Sequence, residues 1–434
     1  MHIDSGKGRN LNHTHVTRYL RNNSLFIALF TLFACISCAP VAGTPQPTPT
    51  PAITRVPTIP YVPPASSTLT ISSAGNTLFA LQAINGTQRW EYTADGYLGQ
   101  PVVSNAIAYV ASSNGTVYAL RANDGSLLWH HSFAVKGFSQ TVTVNNTVVY
   151  FDIDILSASG TASAGALYAL RASDGTPLWH YQANTLFTGP PTIDQGSLYI
   201  NSSDTVYALR TGNGSVLWQH SLQDEGLTTP GAMVEENGIV CVGFGQQDQA
   251  MLLGLHTKDG SIAWSRTVQD TFINSLIAQN GRIYSVSSSQ GPGAGGINLA
   301  ALQEQNGAII WHQSITGNGT GVKGDLLPSG ILYSPSGFLY VSVQASHAGL
   351  VYALAASNGR VLWHYAIGGY PTLVSLTGDL LSVQGATYQQ SSGGTQTVQP
   401  FLYALRVDNG TPLWIKATGK AQPVSTPVGG PSSS

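Results

Sequence analysis

One short pattern recurs eight times along this chain and takes in every tryptophan that the chain has. A glycine stands four residues before each tryptophan, Asn or Asp precedes each glycine, and a leucine stands five residues before it. The spacing of successive tryptophans, 39 residues at the closest and 52 at the widest, indicates one structural unit repeated along the chain. The tryptophans are Trp90, Trp129, Trp179, Trp218, Trp264, Trp311, Trp363 and Trp414, and the glycines are Gly86, Gly125, Gly175, Gly214, Gly260, Gly307, Gly359 and Gly410.

Each copy of the pattern predicts a β-hairpin. In the second copy, Tyr118 to Leu120 is strand-forming, Asp124-Gly125 marks a turn, and a second strand resumes towards Trp129. Two further strand-like runs, Gln100–Ser104 and Ala106–Ser112, precede this hairpin. Each unit therefore predicts four antiparallel strands, which we label A to D.

The repeat also predicts a ring. A single four-stranded sheet cannot bury both of its faces, whereas sheets stacked around an axis can. We therefore predict an all-β fold, an eight-bladed β-propeller with four antiparallel strands per blade. The first copy has only Thr68–Ser72 before its hairpin, and the tail Gln422–Gly430 resembles the start of a strand A. We expect this tail to close the ring as the fourth strand of blade 1; a separate tail is the alternative.

The N-terminal residues 1–38 are predicted to be an export signal with a lipobox. Basic residues between positions 7 and 21 are followed by an apolar run from Leu25 to about Ile36, which is too short to span a bilayer. The stretch from Leu32 to Cys35 resembles a bacterial lipobox, so Cys35 is the predicted lipidation site, with Cys38 as the alternative. Two acyl chains give stable anchoring. An ordinary cleaved signal or an uncleaved anchor remains the other interpretation.

A stalk follows at residues 39–66. It is rich in proline and threonine, and proline removes backbone donors, so the segment cannot belong to a core. The remaining divisions are the propeller at residues 67–430 and a short tail at 431–434. The chain is therefore expected to be exported and held on the extracytoplasmic side of a membrane, with the lipid bilayer as one partner.

Composition excludes some functions. Charged residues make up 9% of the chain and the net charge is −2, which offers no electrostatic footprint for nucleic acid. Outside the signal segment the one cysteine is Cys241, so no disulfide can form within the propeller. No pair of Cys-x-x-Cys motifs predicts a zinc site.

The unit Tyr-Ala-Leu-x-x-x-Asp/Asn-Gly-x-x-x-Trp resembles the repeat of pyrroloquinoline-quinone (PQQ)-like propellers over about residues 67–430. This resemblance implies one of several functions, because the family holds quinoprotein dehydrogenases, BamB-type assembly lipoproteins and non-enzymatic sensor domains. The chain has no adjacent-cysteine pair and no Cys-x-x-Cys-His motif, both of which occur in dehydrogenase branches. The BamB-like branch is therefore the preferred interpretation, and no cofactor is expected. PQQ with Ca²⁺ is expected only under the alternative, a quinoprotein dehydrogenase.

The residues that could form a catalytic, cofactor or metal site also have a structural interpretation. The tryptophans are expected to pack between neighbouring blades rather than to form a cofactor site. His130, His180, His312 and His364 follow four of these tryptophans but belong to different blades, so we expect a structural or solvated role rather than a metal site. Asp152 and Asp154 share one face of a strand near a variable loop and are the candidate Ca²⁺ ligands, with solvated loop acids as the default.

Topology separates two faces of the predicted ring. The A–B and C–D turns lie on one face, and the B–C and D–A loops lie on the other. Length variation is concentrated between strands B and C, at Asp152–Gly165, Gly243–Ala250, Ser287–Ile297 and Gln384–Pro400. Variable loops on a constant scaffold commonly carry binding. We expect a non-catalytic binding or scaffold module whose partner is an envelope protein or another envelope component; a PQQ-dependent alcohol or sugar dehydrogenase and a sensor of a ligand or polysaccharide are the alternatives.

Overall fold

The computed structural model describes residues 68–133, 141–145, 147–156, 162–223, 230–246, 249–268, 272–288, 296–316, 326–345, 348–390, 396–418 and 422–423. These described residues form 32 β-strands, and none of them lies in a helix long and apolar enough to cross a membrane. The signal segment and the stalk, with Cys35 and Cys38, lie outside the described residues.

The strands follow one another as eight antiparallel sheets, which we number as blades 1 to 8. Blade 1 contains β1 (Leu69–Ala74), β2 (Thr77–Gln82) and β3 (Gln88–Thr93); blade 2 contains β4 (Val102–Ser104), β5 (Ile107–Ala111), β6 (Thr116–Arg121) and β7 (Leu127–Ser132); blade 3 contains β8 (Val142–Asn145), β9 (Val148–Leu156), β10 (Ala162–Arg171) and β11 (Pro177–Ala183); blade 4 contains β12 (Thr192–Asp194), β13 (Ser197–Asn201), β14 (Thr205–Arg210) and β15 (Val216–Ser221).

The second half of the chain repeats this arrangement. Blade 5 contains β16 (Pro230–Glu236), β17 (Ile239–Gln246), β18 (Gln249–His256) and β19 (Ile262–Val268); blade 6 contains β20 (Phe272–Ala278), β21 (Arg282–Ser288), β22 (Gly296–Gln303) and β23 (Ile309–Thr316); blade 7 contains β24 (Leu327–Ser334), β25 (Phe338–Gln344), β26 (Ala348–Ala355) and β27 (Val361–Gly368); blade 8 contains β28 (Thr372–Thr377), β29 (Leu380–Gln390), β30 (Gln396–Arg406) and β31 (Pro412–Ala417), with β32 (Gln422–Pro423) beside it. The eight sheets form an eight-bladed β-propeller, which confirms the predicted fold.

We call the side with the A–B and C–D turns the turn face and the opposite side the loop face. On the turn face, the C–D connection is a four-residue turn rather than a two-residue hairpin. In blade 2 the Gly125 N–H donates to the Arg121 carbonyl at 2.9 Å, and the Arg121 N–H donates to the Ser126 carbonyl at 2.9 Å. The carboxylate of Asp124 accepts the Ser126 N–H at 2.9 Å. The same bonds recur in all eight C–D turns, which explains the Asp or Asn before each glycine.

Each tryptophan joins its blade to the next one. Its indole N–H donates to a backbone carbonyl in the C–D turn of the following blade, over 2.6 to 3.0 Å. The indole ring also covers the glycine of that turn. The eight bonds run from Trp90 to Ala122, Trp129 to Ala172, Trp179 to Thr211, Trp218 to Thr257, Trp264 to Glu304, Trp311 to Ala356, Trp363 to Val407 and Trp414 to Ala83.

The last of these joints closes the ring. Trp414 of blade 8 is bonded to Ala83 of blade 1 at 2.8 Å and lies in one apolar cluster with Phe79 and Leu81. Seven further clusters of buried side chains fill the other seven joints between neighbouring blades. The core is therefore distributed between the blades.

The tail begins differently from the prediction. Its first two residues, Gln422 and Pro423, pair with β30 of blade 8 rather than with β1 of blade 1. Strand length explains this, because β30 begins at Gln396 whereas β31 pairs with it only from Phe401 onward, which leaves an open backbone edge. Residues 424–430 lie outside the described residues, so their place as a fourth strand of blade 1 stays a prediction.

Candidate functional site

In blades 3, 5 and 8, the described residues of the variable B–C connections are largely strand rather than loop. In blade 8, β29 and β30 are 11 residues each and stay paired as far as Gln390 and Gln396. In blade 5 the pairing continues to Gln246 and Gln249. By contrast, the B and C strands of blades 1, 2 and 4 are five or six residues long. The loop face therefore carries long hairpins in blades 3, 5 and 8, where the sequence had indicated loops.

Asp152 and Asp154 lie on β9, the B strand of blade 3, near the loop face. They alternate with the fully buried Phe151 and Ile153, so both carboxyl groups occupy the opposite face of the strand. The Thr141 hydroxyl, just before β8, donates to Asp152 Oδ1 at 2.9 Å.

Burial controls the protonation of this pair. It raises the pKa of Asp152 to about 6, against the opposing effect of the hydrogen bond from Thr141. It raises the pKa of Asp154 to about 7, and the neighbouring charge of Asp152 adds to the increase. Burial therefore disfavours the charged form of both carboxyl groups near neutral pH.

The pair does not fit a Ca²⁺ site. Calcium takes about six to eight oxygen ligands, whereas two alternate residues of one strand supply two carboxyl groups, and one oxygen of Asp152 already accepts a hydrogen bond. Within the described ranges, no group of three His, Cys, Asp or Glu side chains could hold a metal ion. We therefore derive no chemistry that depends on PQQ and Ca²⁺ at these residues.

The four histidines belong to four different blades, and each lies on strand D, the outer strand of its blade. Three of them pack against the C-strand tyrosine of their own blade: the ring centroids are 6.1 Å apart for Tyr118 and His130, 5.5 Å for Tyr168 and His180, and 5.7 Å for Tyr352 and His364. These three histidines therefore extend the packing of their own blades.

An exposed tyrosine stands on the loop face, in the D–A connection between blades 1 and 2. Tyr97 is 69% exposed, more than any other large hydrophobic side chain among the described residues. Its backbone is held in place, because the Tyr97 N–H donates to Ser113 Oγ at 3.1 Å and the Ser113 N–H donates to the Tyr97 carbonyl at 2.7 Å. Sequence reasoning did not single out this residue, since one tyrosine in a loop has no pattern.

The D–A connection that carries Tyr97 is linked by hydrogen bonds to blade 8, near the joint of blades 8 and 1 that closes the ring. Gln100 Nε2 donates to Gln384 Oε1 at 3.1 Å, and Gln384 Nε2 donates to the Ser73 carbonyl at 2.7 Å. Gln384 belongs to β29, the first strand of the long blade 8 hairpin. Tyr97 and this hairpin therefore belong to one connected region of the loop face, which we call the seam surface.

The turn face has a feature that the sequence had not indicated. An open cavity of about 430 Å³ lies between the A–B turns of blades 6 and 7 and is lined by Asn280, Arg282, Tyr284 and Tyr333, among others. Asn280 Nδ2 donates to the Tyr333 hydroxyl at 3.3 Å across its wall. The sequence signal that could have indicated the turn beside this cavity is the pair Asn280-Gly281, which is typical of turns. Both residues have positive φ in the structure.

Three stretches of the chain, residues 54–158, 138–285 and 202–430, match the sequence model of a family described as outer membrane protein assembly factor BamB. Together they include all eight repeats. The chain belongs to the BamB family. This confirms the branch of PQQ-like repeat proteins that the repeat pattern had predicted.

Individual relatives are distant. BamB of Yersinia pestis is 25% identical over 245 residues, a match that covers 56% of this chain and 50% of that protein, so the chain spans about half of its length. The structure of BamB from Moraxella catarrhalis superposes with a TM-score of 0.51 at 16% identity, covering 83% of this chain and 98% of that one. The computationally designed Ika8 protein superposes with a TM-score of 0.52 at 13% identity, covering 77% and 96% of the two chains. At these identities the superpositions support the fold alone.

Proposed function

We propose that this BamB-family propeller is a non-catalytic binding module of the cell envelope, exported and anchored through lipidated Cys35, and that it binds an envelope protein through the seam surface. The relatives are named for the assembly of outer membrane proteins. For this chain, a role in protein assembly in the envelope is part of the proposal.

The observation that carries the proposal is the exposed Tyr97 on a hydrogen-bonded backbone. An exposed aromatic side chain on a hydrogen-bonded backbone offers a large contact area and has few side-chain torsions to fix on binding, and such residues often dominate the energy of protein interfaces. The adjoining blade 8 hairpin supplies the backbone edge of β29 beyond Gln384, where pairing with β28 ends, and such an edge can pair with an extended segment of a partner. Both features belong to the loop face, where the length variation of the repeat is found.

A matched pair of variants tests this surface. Full-length protein carrying Tyr97→Ala and full-length protein carrying Ile309→Ala are each cross-linked in membranes and recovered with their partners. Ile309 is also an exposed apolar residue, 52% exposed, but it lies on the outer strand of blade 6. We expect Tyr97→Ala to reduce recovery of the main partner about ten-fold, as for a hot-spot residue, and Ile309→Ala to leave it unchanged. Equal recovery with both variants contradicts the seam surface.

The anchor has its own test. Incorporation of labelled palmitate is expected to be lost in Cys35→Ala and kept in Cys38→Ala, because the lipobox-like Leu32 stands three residues before Cys35. The reverse result moves the anchor to Cys38, and incorporation in both single variants and in the double variant refutes lipidation at either residue.

A dehydrogenase is the second candidate, favoured only by the partly buried carboxyl pair Asp152 and Asp154. Since this pair does not fit a Ca²⁺ site, we expect no dye-linked oxidation of alcohols or sugars after reconstitution with PQQ and Ca²⁺. Turnover that is lost in Asp154→Asn contradicts the binding-module proposal.

A further inference from the structure

A buried glutamate occupies the joint between blades 5 and 6. Glu304 is 1% exposed and stands at the position whose carbonyl accepts the indole N–H of the preceding blade. The seven equivalent residues are Ala83, Ala122, Ala172, Thr211, Thr257, Ala356 and Val407. The repeat therefore tolerates a small or apolar residue here, and the carboxyl group of Glu304 is not required for the joint.

Half of this carboxyl group lacks a partner. Oε2 accepts a hydrogen bond of 2.9 Å from Asn237 Nδ2 in the A–B turn of blade 5, which directs the group towards that turn. Oε1 is buried and has no hydrogen-bond partner among the residues that the structure describes. Leaving a buried carboxyl oxygen unpaired is costly, so the arrangement favours a ligand that donates to it.

More acidic side chains surround the same turn. Glu235 Oε1 accepts the Gly238 N–H at 3.2 Å, and Glu236 Oε2 accepts the Gly281 N–H at 3.2 Å. Burial raises the pKa of Glu235 to about 7, and the charges of Asp194 and Glu304 contribute to the increase. The ion pairs found among the described residues, Arg171–Asp174 and Arg406–Asp408, lie elsewhere.

The arrangement favours an organic cation over a metal ion. The side chains around the turn include no group of three described carboxylates close enough to hold a metal. A guanidinium or ammonium group is larger and carries several N–H donors, so it can contact carboxylates that are spread apart.

We propose that the A–B turn of blade 5 covers a binding site for an arginine or lysine side chain of a partner polypeptide, with Glu304 as the carboxylate at its base. Asn237, an exposed residue, occupies one oxygen of Glu304 and moves aside when the cation enters. This site is on the turn face, so it does not depend on the seam surface.

The test uses the full-length protein and two fluorescent peptides. One peptide has the sequence Gly-Arg-Gly-Arg-Gly, and the other replaces both arginines with citrulline, which has nearly the same shape but no charge. Binding is followed by fluorescence anisotropy for wild type, Glu304→Thr and Glu91→Gln. Threonine already occupies the equivalent position in blades 4 and 5, and Glu91 is an exposed acid on the outer strand of blade 1. The control therefore removes the same charge from another face.

We expect the arginine peptide to bind wild type at least about ten-fold more tightly than the citrulline peptide, because a charge-assisted pair is lost in the latter. Glu304→Thr should weaken arginine binding about ten-fold, and Glu91→Gln less than two-fold. Equal binding of the two peptides overturns the proposal, as does an equal effect of the two substitutions.

A purely structural role for Glu304 predicts a different result, in which Glu304→Thr lowers the melting temperature, because the hydrogen bond from Asn237 is lost, but leaves peptide binding unchanged. Should Glu304→Thr fail to fold, Glu235→Gln decides instead. This partly exposed residue is expected to contribute at least a three-fold loss of arginine-peptide affinity, and unchanged affinity overturns the proposal.

Discussion

The repeated glycine combines two constraints at a single residue. At Gly125 the backbone has a φ of 73°, and a Cβ atom there would lie 2.6 Å from the indole of Trp90 in the preceding blade. Such a distance is too short for any real Cβ contact, so both the backbone and the indole exclude a side chain. The sequence showed the spacing of glycine and tryptophan within a copy, but each contact joins residues of neighbouring copies.

A pair of substitutions separates these two constraints. Gly125→Ala and Gly75→Ala share the backbone strain, because Gly75 has a φ of 61°, but nothing lies within 4 Å of a Cβ at Gly75. We expect urea unfolding to show Gly125→Ala less stable than Gly75→Ala by about 1–3 kcal/mol, the usual cost of overpacking. Equal losses in the two variants contradict the indole contact.

Asp154 should make stability depend on pH. Its pKa is raised to about 7 in the folded state from 3.8, so between these values the folded chain binds more protons than the unfolded chain. Stability conferred by the protonated form is therefore lost as pH rises from about 4 to about 7. Asp154→Asn should unfold like wild type near pH 4 and be more stable near pH 8 by about 1–3 kcal/mol. The control is Asp95→Asn on an exposed connection, and a parallel pH profile for wild type and Asp154→Asn refutes the burial effect.

At the level of elements, the hairpins show how far sequence patterns reach. Strand C, the Asp/Asn-Gly turn and strand D could be predicted because apolar residues and turn residues alternate with fixed spacing. The end of the long blade 8 hairpin could not be predicted, since Gln389, Gln390 and Gln396 show no alternation with apolar residues, and such a polar stretch is typical of a loop. Its backbone pairs strand to strand all the same. Cross-strand hydrogen bonds do not need apolar side chains, so polar strands escape a pattern based on hydrophobicity.

We expect the edge strand β1 of blade 1 to pair with a fourth strand. Thr70 and Ser72 of β1 are 1% and 0% exposed, yet β1 pairs only with β2 among the described residues. Truncation after Pro423 should lower the free energy of unfolding by about 2–4 kcal/mol, because several backbone hydrogen bonds of about 1 kcal/mol each are lost. Truncation after Gly430 is the control and should have no effect. Equal stability of the two truncated chains contradicts a strand at residues 424–430.

At the level of the whole molecule, the ring follows from the fact that every blade needs a neighbour on both faces. Eight hairpins with the same indole and glycine imply eight equivalent joints, and the structure closes the eighth between Trp414 and Ala83. The candidate sites could not be predicted from the repeat. Tyr97, Glu304 and the cavity beside Arg282 are departures from the repeat, and only the folded ring shows what surrounds them.

The most direct measurement compares Trp414→Ala at the closing joint with Trp218→Ala at an internal joint. Both indoles are 8% exposed and both donate to a carbonyl of the next blade at 2.8 Å. In a closed ring the two substitutions should each lower the free energy of unfolding by about 3–5 kcal/mol in urea. A much smaller loss for Trp414→Ala than for Trp218→Ala would show that blades 8 and 1 do not meet, and would contradict the closed propeller.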